Sequence, residues 1–224
     1  MHLLIRDQIP AKAKAYVTLV IFVGLPIFIY CFYYSFTGSD LRWLYVAVLA
    51  VIGSSFPVNV PSTKQRSQSL SISVSDVFVF TGILLFGPEV AATISVIDGV
   101  LINFRTKIKR LYKQLFNIAE LVIVSFVVGQ IFYQLQGKPA PLDPAQLDSI
   151  ARLLINLGLC ALLYFLLNSG AVAVAIALVT NQPVGSLWKQ NFLWASVTNF
   201  AGASAAAVIF LYFCLLYTSP SPRD

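Results

Sequence analysis

Three carboxylates stand in one apolar stretch of the chain that contains no Lys or Arg. The stretch is SISVSDVFVFTGILLFGPEVAATISVIDG, residues 71–99, and its acids are Asp76, Glu89 and Asp98. Charged side chains are costly in lipid, so acids within membrane segments usually face a protein interior or a water cavity and mark a functional site. Such groups could hold a proton, an ion or a cationic ligand, and the surrounding elements must position them.

Composition places those elements in a membrane. Hydrophobic residues make up 58% of the 224-residue chain and charged residues only 11%, against about 25% charged in soluble domains. The mean hydropathy is +0.81. Because a bilayer core about 30 Å thick needs roughly 20 apolar residues per helix, we predict an all-α, polytopic transmembrane bundle of about seven helices. We assign residues 1–216 to one integral membrane domain and residues 217–224 to a disordered tail.

One of the apolar segments is predicted to be a hairpin. The segments cover residues 15–36, 41–58, 74–104, 114–135, 152–180 and 191–216. As a single helix, residues 74–104 would be about 46 Å long, which is too long for one pass and short for two. Gly87-Pro88-Glu89 supplies a break, because Gly suits a helix C-terminus while Pro and Glu suit a first turn. Before this segment, Ser alternates with apolar residues over 69–75, which indicates extended chain.

Loop charges predict the orientation. Eleven cations fall on one side, in the order Arg6, Lys12, Lys14, Lys64, Arg66, Arg105, Lys107, Lys109, Arg110, Lys113 and Lys189. Only Arg42, Lys138 and Arg152 fall on the other side, and Arg223 lies in the tail. The positive-inside rule makes the eleven-residue side, including the N-terminus, cytoplasmic. This loop bias accounts for the net charge of +6, so we predict no nucleic-acid partner.

The hairpin brings its acids to similar depths. Asp98 lies about 15 Å from the turn along one arm, and Asp76 about 17 Å along the other. Glu120 lies about 10 Å into the next helix, and Asn117 shares its face. We therefore predict one polar cavity, reached from the cytoplasmic side, that takes an unknown small ligand or ion.

Structural explanations stay open for each of these residues. Ser73-Val74-Ser75-Asp76 fits a capping box, so Asp76 could simply cap its helix, and all the acids could be hydrogen-bonded structural groups. Asn168-Ser169-Gly170 is a candidate break in a long helix. Broken helices line substrate sites in transporters, which makes Asn168 a further ligand-binding candidate, but Asn and Gly also serve helix packing.

Catalytic motifs are missing from the sequence. The single histidine is His2, and Cys31, Cys160 and Cys214 are scattered without a CxxC pair. The chain contains no Walker loop, no GxSxG and no His/Cys metal spacing. We therefore predict no catalytic residue, no metal site and no cofactor, so that the chain itself is not an enzyme.

Four stretches carry a family resemblance, namely SISVSDVFVFTGILLFGPEVA, QLFNIAELVIV, LLYFLLNSGAVAVAIAL and LWKQNFLWASVTNFAGASAAAVI. In this order the chain resembles the N-terminal membrane sensor region of bacterial signalling proteins with GGDEF or HD-GYP output domains. The resemblance covers residues 15–210 and implies a sensory or anchoring module in the bacterial cytoplasmic membrane. It also implies cyclic di-GMP chemistry on an output domain outside this chain, and a homodimer, since such sensors commonly work as dimers.

The last nine residues differ in character from the rest of the chain. LYTSPSPRD follows an apolar helix abruptly and looks like translated adapter sequence, so we expect the native chain to continue past residue 216.

The alternative function is transport, because short helices and a LLFGP turn are also similar to the substrate-binding subunits of energy-coupling vitamin transporters. The full reading frame would discriminate between them, since output-domain sequence supports signalling and an early stop supports transport.

Overall fold

The computed structural model describes residues 10–55, 58–60, 70–72, 75–105, 110–142, 149–192 and 195–218. These residues form eight α-helices and one two-stranded antiparallel ribbon. Four of the helices are long and apolar enough to cross a membrane, at Ala11–Thr37, Leu111–Gln136, Ile150–Thr180 and Ser196–Cys214. The predicted helical membrane bundle is therefore confirmed, whereas the count of seven membrane helices stays a prediction.

The elements follow one another in a simple order. The helices are α1 (Ala11–Thr37), α2 (Trp43–Ser55), α3 (Ser75–Phe86), α4 (Pro88–Arg105), α5 (Leu111–Gln136), α6 (Ile150–Thr180), α7 (Val184–Asn191) and α8 (Ala195–Thr218). Between α2 and α3, strand β1 (Val58–Val60) pairs with β2 (Leu70–Ile72). The alternating serines thus include an extended segment, as predicted, while its pairing with β1 was not foreseen.

The predicted hairpin is present as α3 and α4. Gly87 separates the two helices. Its backbone φ is 103°, a value that residues with a side chain rarely adopt. Its N–H donates to the Gly82 carbonyl at 3.0 Å and so closes the end of α3. Pro88 begins α4, where its fixed φ fits and its missing N–H costs nothing. The Gly-Pro pair therefore turns the chain without leaving an unsatisfied donor at that point.

The bundle has two distinct ends. At one end, the hairpin turn meets the loop after α5, because a Cβ on Gly87 would lie 3.2 Å from the Ala140 Cβ. At the other end, Asn103 of α4 donates to the Gln114 carbonyl of α5 at 3.1 Å. We call the first the tip end and the second the basic end. The basic end carries the described cations Lys12, Lys14, Arg110, Lys113 and Lys189, and the tip end carries Arg42, Lys138 and Arg152.

The main core lies between α3, α5, α6 and α8. Its largest buried side chains include Phe80, Phe132, Tyr164 and Phe210, one from each of these helices. Helix α3 is central, since it packs against α2, α4 and α8. By contrast, α1 leaves most of its apolar side chains on the outer surface, as expected for a helix that faces lipid.

Two features differ from the sequence predictions. Helix α6 is continuous from Ile150 to Thr180, so the predicted break at residues 168–170 is wrong. The Ser169 hydroxyl donates to the Phe165 carbonyl within the helix at 2.5 Å, and a single Gly costs a helix only about 1 kcal/mol. The predicted last segment also begins too early, because residues 184–191 form the separate helix α7 before α8.

Three predicted features lie wholly or partly outside the described residues. Ser73 of the predicted capping box is among them, although α3 does begin at Ser75 with Asp76 in its first turn. Most of the basic loop after α4 and residues 219–224 of the tail also lie outside. Helix α8 continues to Thr218, two residues past the boundary that we predicted for the membrane domain.

Candidate functional site

Three acids from consecutive helices lie toward the basic end of the bundle. Asp76 is in the first turn of α3 and is partly exposed. Asp98 on α4 and Glu120 on α5 retain only 6% and 3% of their exposed surface. Gly99 packs against Ile118 and Leu121, which fixes Asp98 and Glu120 at neighbouring levels of α4 and α5. The similar membrane depth predicted for Asp76 and Asp98 stays a prediction.

Tyr164 of α6 lies among these acids. Its side chain is fully buried, and its ring packs against Phe80 with centroids 5.4 Å apart. The carboxyl groups of Asp76, Asp98 and Glu120 all lie within electrostatic range of the Tyr164 hydroxyl. Asp76 and Asp98 also act on each other. Four helices thus direct ionisable groups to one region, which we call the acid–tyrosine cluster: Asp76, Asp98, Glu120 and Tyr164.

Polar atoms in and near this cluster are buried. The Ser125 and Tyr164 hydroxyls interact with each other, whereas the Oε1 atom of Glu120 is buried without a hydrogen-bond partner in the part of the chain that the structure describes. The Asn199 Oδ1 atom on α8 has the same property. Most buried polar atoms in proteins are hydrogen-bonded, and further unpartnered atoms of the described residues lie at Ser54, Thr81, Gln136 and Asn156, so such atoms are not confined to the cluster.

A close helix contact brings α8 to the cluster. A Cβ on Gly202 would lie 2.8 Å from the Asp76 Cβ and 3.1 Å from the Val77 nitrogen. Only a residue without a side chain permits this approach. Asn199 precedes Gly202 by three residues and therefore lies on the same face of α8, toward the start of α3.

The two predicted amide residues lie in different settings. The Asn117 Nδ2 group donates to the Asn103 Oδ1 atom at 2.9 Å, so it joins α5 to α4 at the basic end. Asn168 is only partly buried in α6. Its neighbour Ser169 accepts a hydrogen bond from the Trp188 indole at 2.7 Å, which holds α7 against α6. Asn117 therefore joins α4 to α5. Ligand binding by Asn117 or Asn168 stays a prediction.

Comparison with known families gives one match. The MASE9 family, a family of membrane-associated sensor domains, matches residues 39–219. The chain belongs to the MASE9 family. Searches among curated proteins and among solved structures find no match. The match covers the hairpin and all of the cluster, so both are parts of the sensor domain.

Metal chelation finds no support in this MASE9 domain. Among the described residues, no group of three or more His, Cys, Asp or Glu side chains could hold a metal ion. Cys31, Cys160 and Cys214 are each buried and free.

Glu89 is separate from the cluster. It lies at the tip end, in the first turn of α4, where its Oε1 atom accepts a 3.4 Å hydrogen bond from Gln130 Nε2. Nearby, Tyr133 donates to the Ile83 carbonyl at 2.7 Å and accepts from the Leu142 N–H at 3.2 Å. These contacts assign Glu89 and its surroundings to the joint between the hairpin and the following loop.

Two surface depressions on α1 do not involve the acids. Two shallow grooves of about 530 and 300 Å³ lie along the outer face of α1, between residues 11–22 and residues 28–37. Their lining is almost entirely apolar, which suits lipid contact. The predicted polar cavity stays a prediction.

Sequence reasoning missed Tyr164, Ser125 and Asn199. Each is a polar residue in an otherwise apolar span, and that contrast was the available signal. Their rotational positions around α5, α6 and α8, which direct them inward, depend on helix packing and could not be read from spacing to the acids.

Proposed function

We propose that this MASE9 chain is the sensory and anchoring part of a bacterial signal-transduction protein. Its basic end, including the N-terminus, would lie in the cytoplasm of a cell whose inner membrane holds the bundle. A cytoplasmic output domain of the GGDEF or HD-GYP class would carry out the cyclic di-GMP chemistry, and the catalytic work would lie outside residues 1–224. The family match and the sequence resemblance support this proposal.

The observation that carries the proposal is the acid–tyrosine cluster. A membrane anchor needs no ionisable groups at the centre of its bundle, and each one buried there destabilises the fold unless something compensates its charge. Here three carboxylates and a tyrosine hydroxyl converge from four helices. A ligand or ion that compensates them would stabilise one arrangement of these helices over another, which is the requirement for a sensor.

A route from the cluster toward an output domain is available through α8. Asp76 on α3 is in close contact with Gly202 on α8, and α8 is the helix nearest the C-terminus. A change in occupancy that moves the start of α3 would therefore act directly on α8. A homodimer, as in related sensors, would let two α8 helices move relative to each other, and the lipid bilayer is the other partner. The transport alternative gains nothing from the family match.

The test uses the full-length protein from the complete reading frame, with output measured as the cyclic di-GMP level in cells. We expect Asp98→Asn and Glu120→Gln to abolish the regulated output while membrane expression and melting temperature are retained. Glu89→Gln is the matched control, because it removes a buried acid at the tip end, outside the cluster. If both cluster variants keep full regulation, the acids are passive and the proposed sensory role of the cluster is wrong.

A further inference from the structure

We propose that the outer face of α1 binds one anionic phospholipid, with an acyl chain in the groove along residues 11–22 and the headgroup held by Lys14. This inference goes beyond the proposed function, because it concerns the lipid-facing surface of the first helix and not the acid–tyrosine cluster. The groove also lies outside the matched family region, since that match begins at residue 39 and α1 ends at Thr37.

The groove lies on the side of α1 that faces away from the bundle. The buried residues of α1 include Ala13, Gly24 and Cys31, which fall on one line along a helix with 3.6 residues per turn. The groove residues fall on the opposite side, and they are Ala11, Lys14, Ala15, Thr18, Leu19 and Phe22. The groove is therefore open to the membrane, and a lipid reaches it without any rearrangement of the helices.

Side-chain size explains the shape of the groove. Ala15 and Thr18 are small, whereas Leu19 and Phe22 are large and are 60% and 75% exposed. The resulting depression has a volume of about 530 Å³, and from residue 11 to residue 22 it extends about 16 Å along the helix. Half of a bilayer core measures about 15 Å. The groove is therefore as long as one leaflet of hydrocarbon is thick, which suits an acyl chain that lies along α1.

Charge identifies the headgroup. Lys14 lines the groove near its start, and Lys12 is exposed in the same first turn of α1. The sequence contains no Asp or Glu in residues 8–39, and neither lysine forms an ion pair with another described residue. Lys14 can lay its apolar stem along the groove and extend its ammonium group to the headgroup level. A headgroup with a net negative charge compensates these cations, and a zwitterionic headgroup does not.

A second copy of the chain is a weaker candidate for this groove. In a dimer with its two-fold axis along the membrane normal, the same face of α1 would meet itself. The two Lys14 side chains would then lie at the same level, and like charges that face each other oppose association. The second groove, along residues 28–37, is lined by no cation. It therefore serves as an internal control for apolar contact without a headgroup partner.

The binding test uses the full chain, purified in a mild detergent. Native mass spectrometry counts bound lipids, and the melting temperature is measured as phosphatidylglycerol or phosphatidylcholine is added. We expect one phosphatidylglycerol to bind and to raise the melting temperature by roughly 5–10 °C at about 100 times its Kd. Phosphatidylcholine at the same concentration should have little effect. Glycerol 3-phosphate, which carries the phosphate without acyl chains, should not compete.

Variants then locate the lipid. Lys14→Gln should weaken phosphatidylglycerol binding about fivefold, the contribution of one basic residue near an anionic surface. Ala15→Phe keeps both lysines but fills the groove, so it should also weaken binding. Two controls should bind as the unmodified chain does, because Lys189→Gln removes a cation of the basic end on α7 and Ile29→Trp enlarges a side chain in the second groove. All four positions are exposed, so each variant should keep the melting temperature of the lipid-free chain.

Three results would overturn the inference. Equal stabilisation by phosphatidylglycerol and phosphatidylcholine would reduce the groove to ordinary lipid contact. An equal loss of binding in Lys14→Gln and Lys189→Gln would assign the lipid preference to the summed charge of the basic end. A dimer that Ala15→Phe dissociates would make a second copy the occupant. None of these results bears on the sensor proposal, which is tested separately through Asp98→Asn and Glu120→Gln.

Discussion

Gly202 of α8 lies directly against Asp76 of α3, so closely that a Cβ at residue 202 would be 2.8 Å from the Asp76 Cβ. The contact joins the last described helix to the first acid of the acid–tyrosine cluster. Any added atom at this point must push α3 and α8 apart, since the second and third nearest atoms are backbone atoms of α3.

We therefore expect Gly202→Ala to destabilise the bundle by about 1–3 kcal/mol, the usual cost of overpacking. Gly158→Ala on α6 is the control, because nothing lies within 4 Å of its Cβ position and Ala favours a helix by about 1 kcal/mol over Gly. Thermal unfolding in detergent measures both. Equal stability of the two variants would contradict the close α3–α8 contact.

Removal of the Tyr133 hydroxyl should loosen the tip end. Tyr133→Phe leaves the buried Ile83 carbonyl and the Leu142 N–H without this partner, and an unsatisfied buried polar group costs about 1–3 kcal/mol. We expect a loss of stability in that range and faster proteolysis within residues 137–149. Tyr212→Phe is the control, since the Tyr212 side chain is exposed. An equal loss of stability in Tyr212→Phe would contradict a specific stabilising role of the Tyr133 hydrogen bonds.

Helix α7 should separate from α6 when its indole hydrogen bond is removed. Trp188 donates to Ser169 at 2.7 Å and its ring lies 5.6 Å from that of Phe165. In Trp188→Phe the ring contact can persist while the hydrogen bond cannot, so Ser169→Ala should reproduce its effect. Hydrogen exchange of residues 184–191 measures this, and unchanged protection in both variants would contradict the docked position.

The two ends of the bundle should react with reagents from opposite sides of the membrane. After Cys31, Cys160 and Cys214 are replaced, single cysteines at Lys113 and Pro139 report the basic and tip ends. We expect a membrane-impermeant thiol reagent to label position 139 in intact cells and position 113 only after lysis, because the eleven-to-three distribution of cations favours a cytoplasmic basic end. Labelling of position 113 in intact cells would reverse the topology.

Acid should weaken the loop between α1 and α2. Hydrogen bonds from the Arg42 backbone and side chain lower the pKa of Asp40 below its ordinary value of 3.8. A lowered pKa in the folded state stabilises the fold above the ordinary pKa, and this contribution is lost as pH falls through the folded-state value. Asp40→Asn should therefore lower the melting temperature slightly at pH 7 and leave it unchanged near pH 2. A larger effect at low pH would contradict this assignment.

Much of this architecture could be predicted because single residues determined it. Gly87 and Pro88 mark the hairpin turn, and the apolar runs mark the long helices, since a bilayer requires about 20 residues. A similar depth for Asp76 and Asp98 was predicted from helical rise along the two arms of the hairpin and stays a prediction. Helix α7 was missed because it has only eight residues and only three apolar side chains, so that residues 184–190 fell between the predicted segments.

The rotational positions of residues could not be predicted in the same way. Spacing gives depth along a helix, but the direction in which Tyr164 or Asn199 faces depends on which helix is its neighbour. That choice is made by contacts such as Gly24 on Ala119 and Gly202 on Asp76, where small residues admit close approach. Asn168 was selected for a break that α6 does not contain, since its internal hydrogen bonds continue through Gly170.

The packing of α3 against α8 has a consequence for how the protein is made. Helix α3 has only 12 residues, and the helix that packs on the Gly202 side of it is synthesised more than a hundred residues later. During translation, the face of α3 that α8 covers in the finished fold therefore stays uncovered until α8 has been synthesised. Ribosome-stalled chains that end before residue 195 should accordingly retain a hairpin that chaperones or membrane proteases can still recognise.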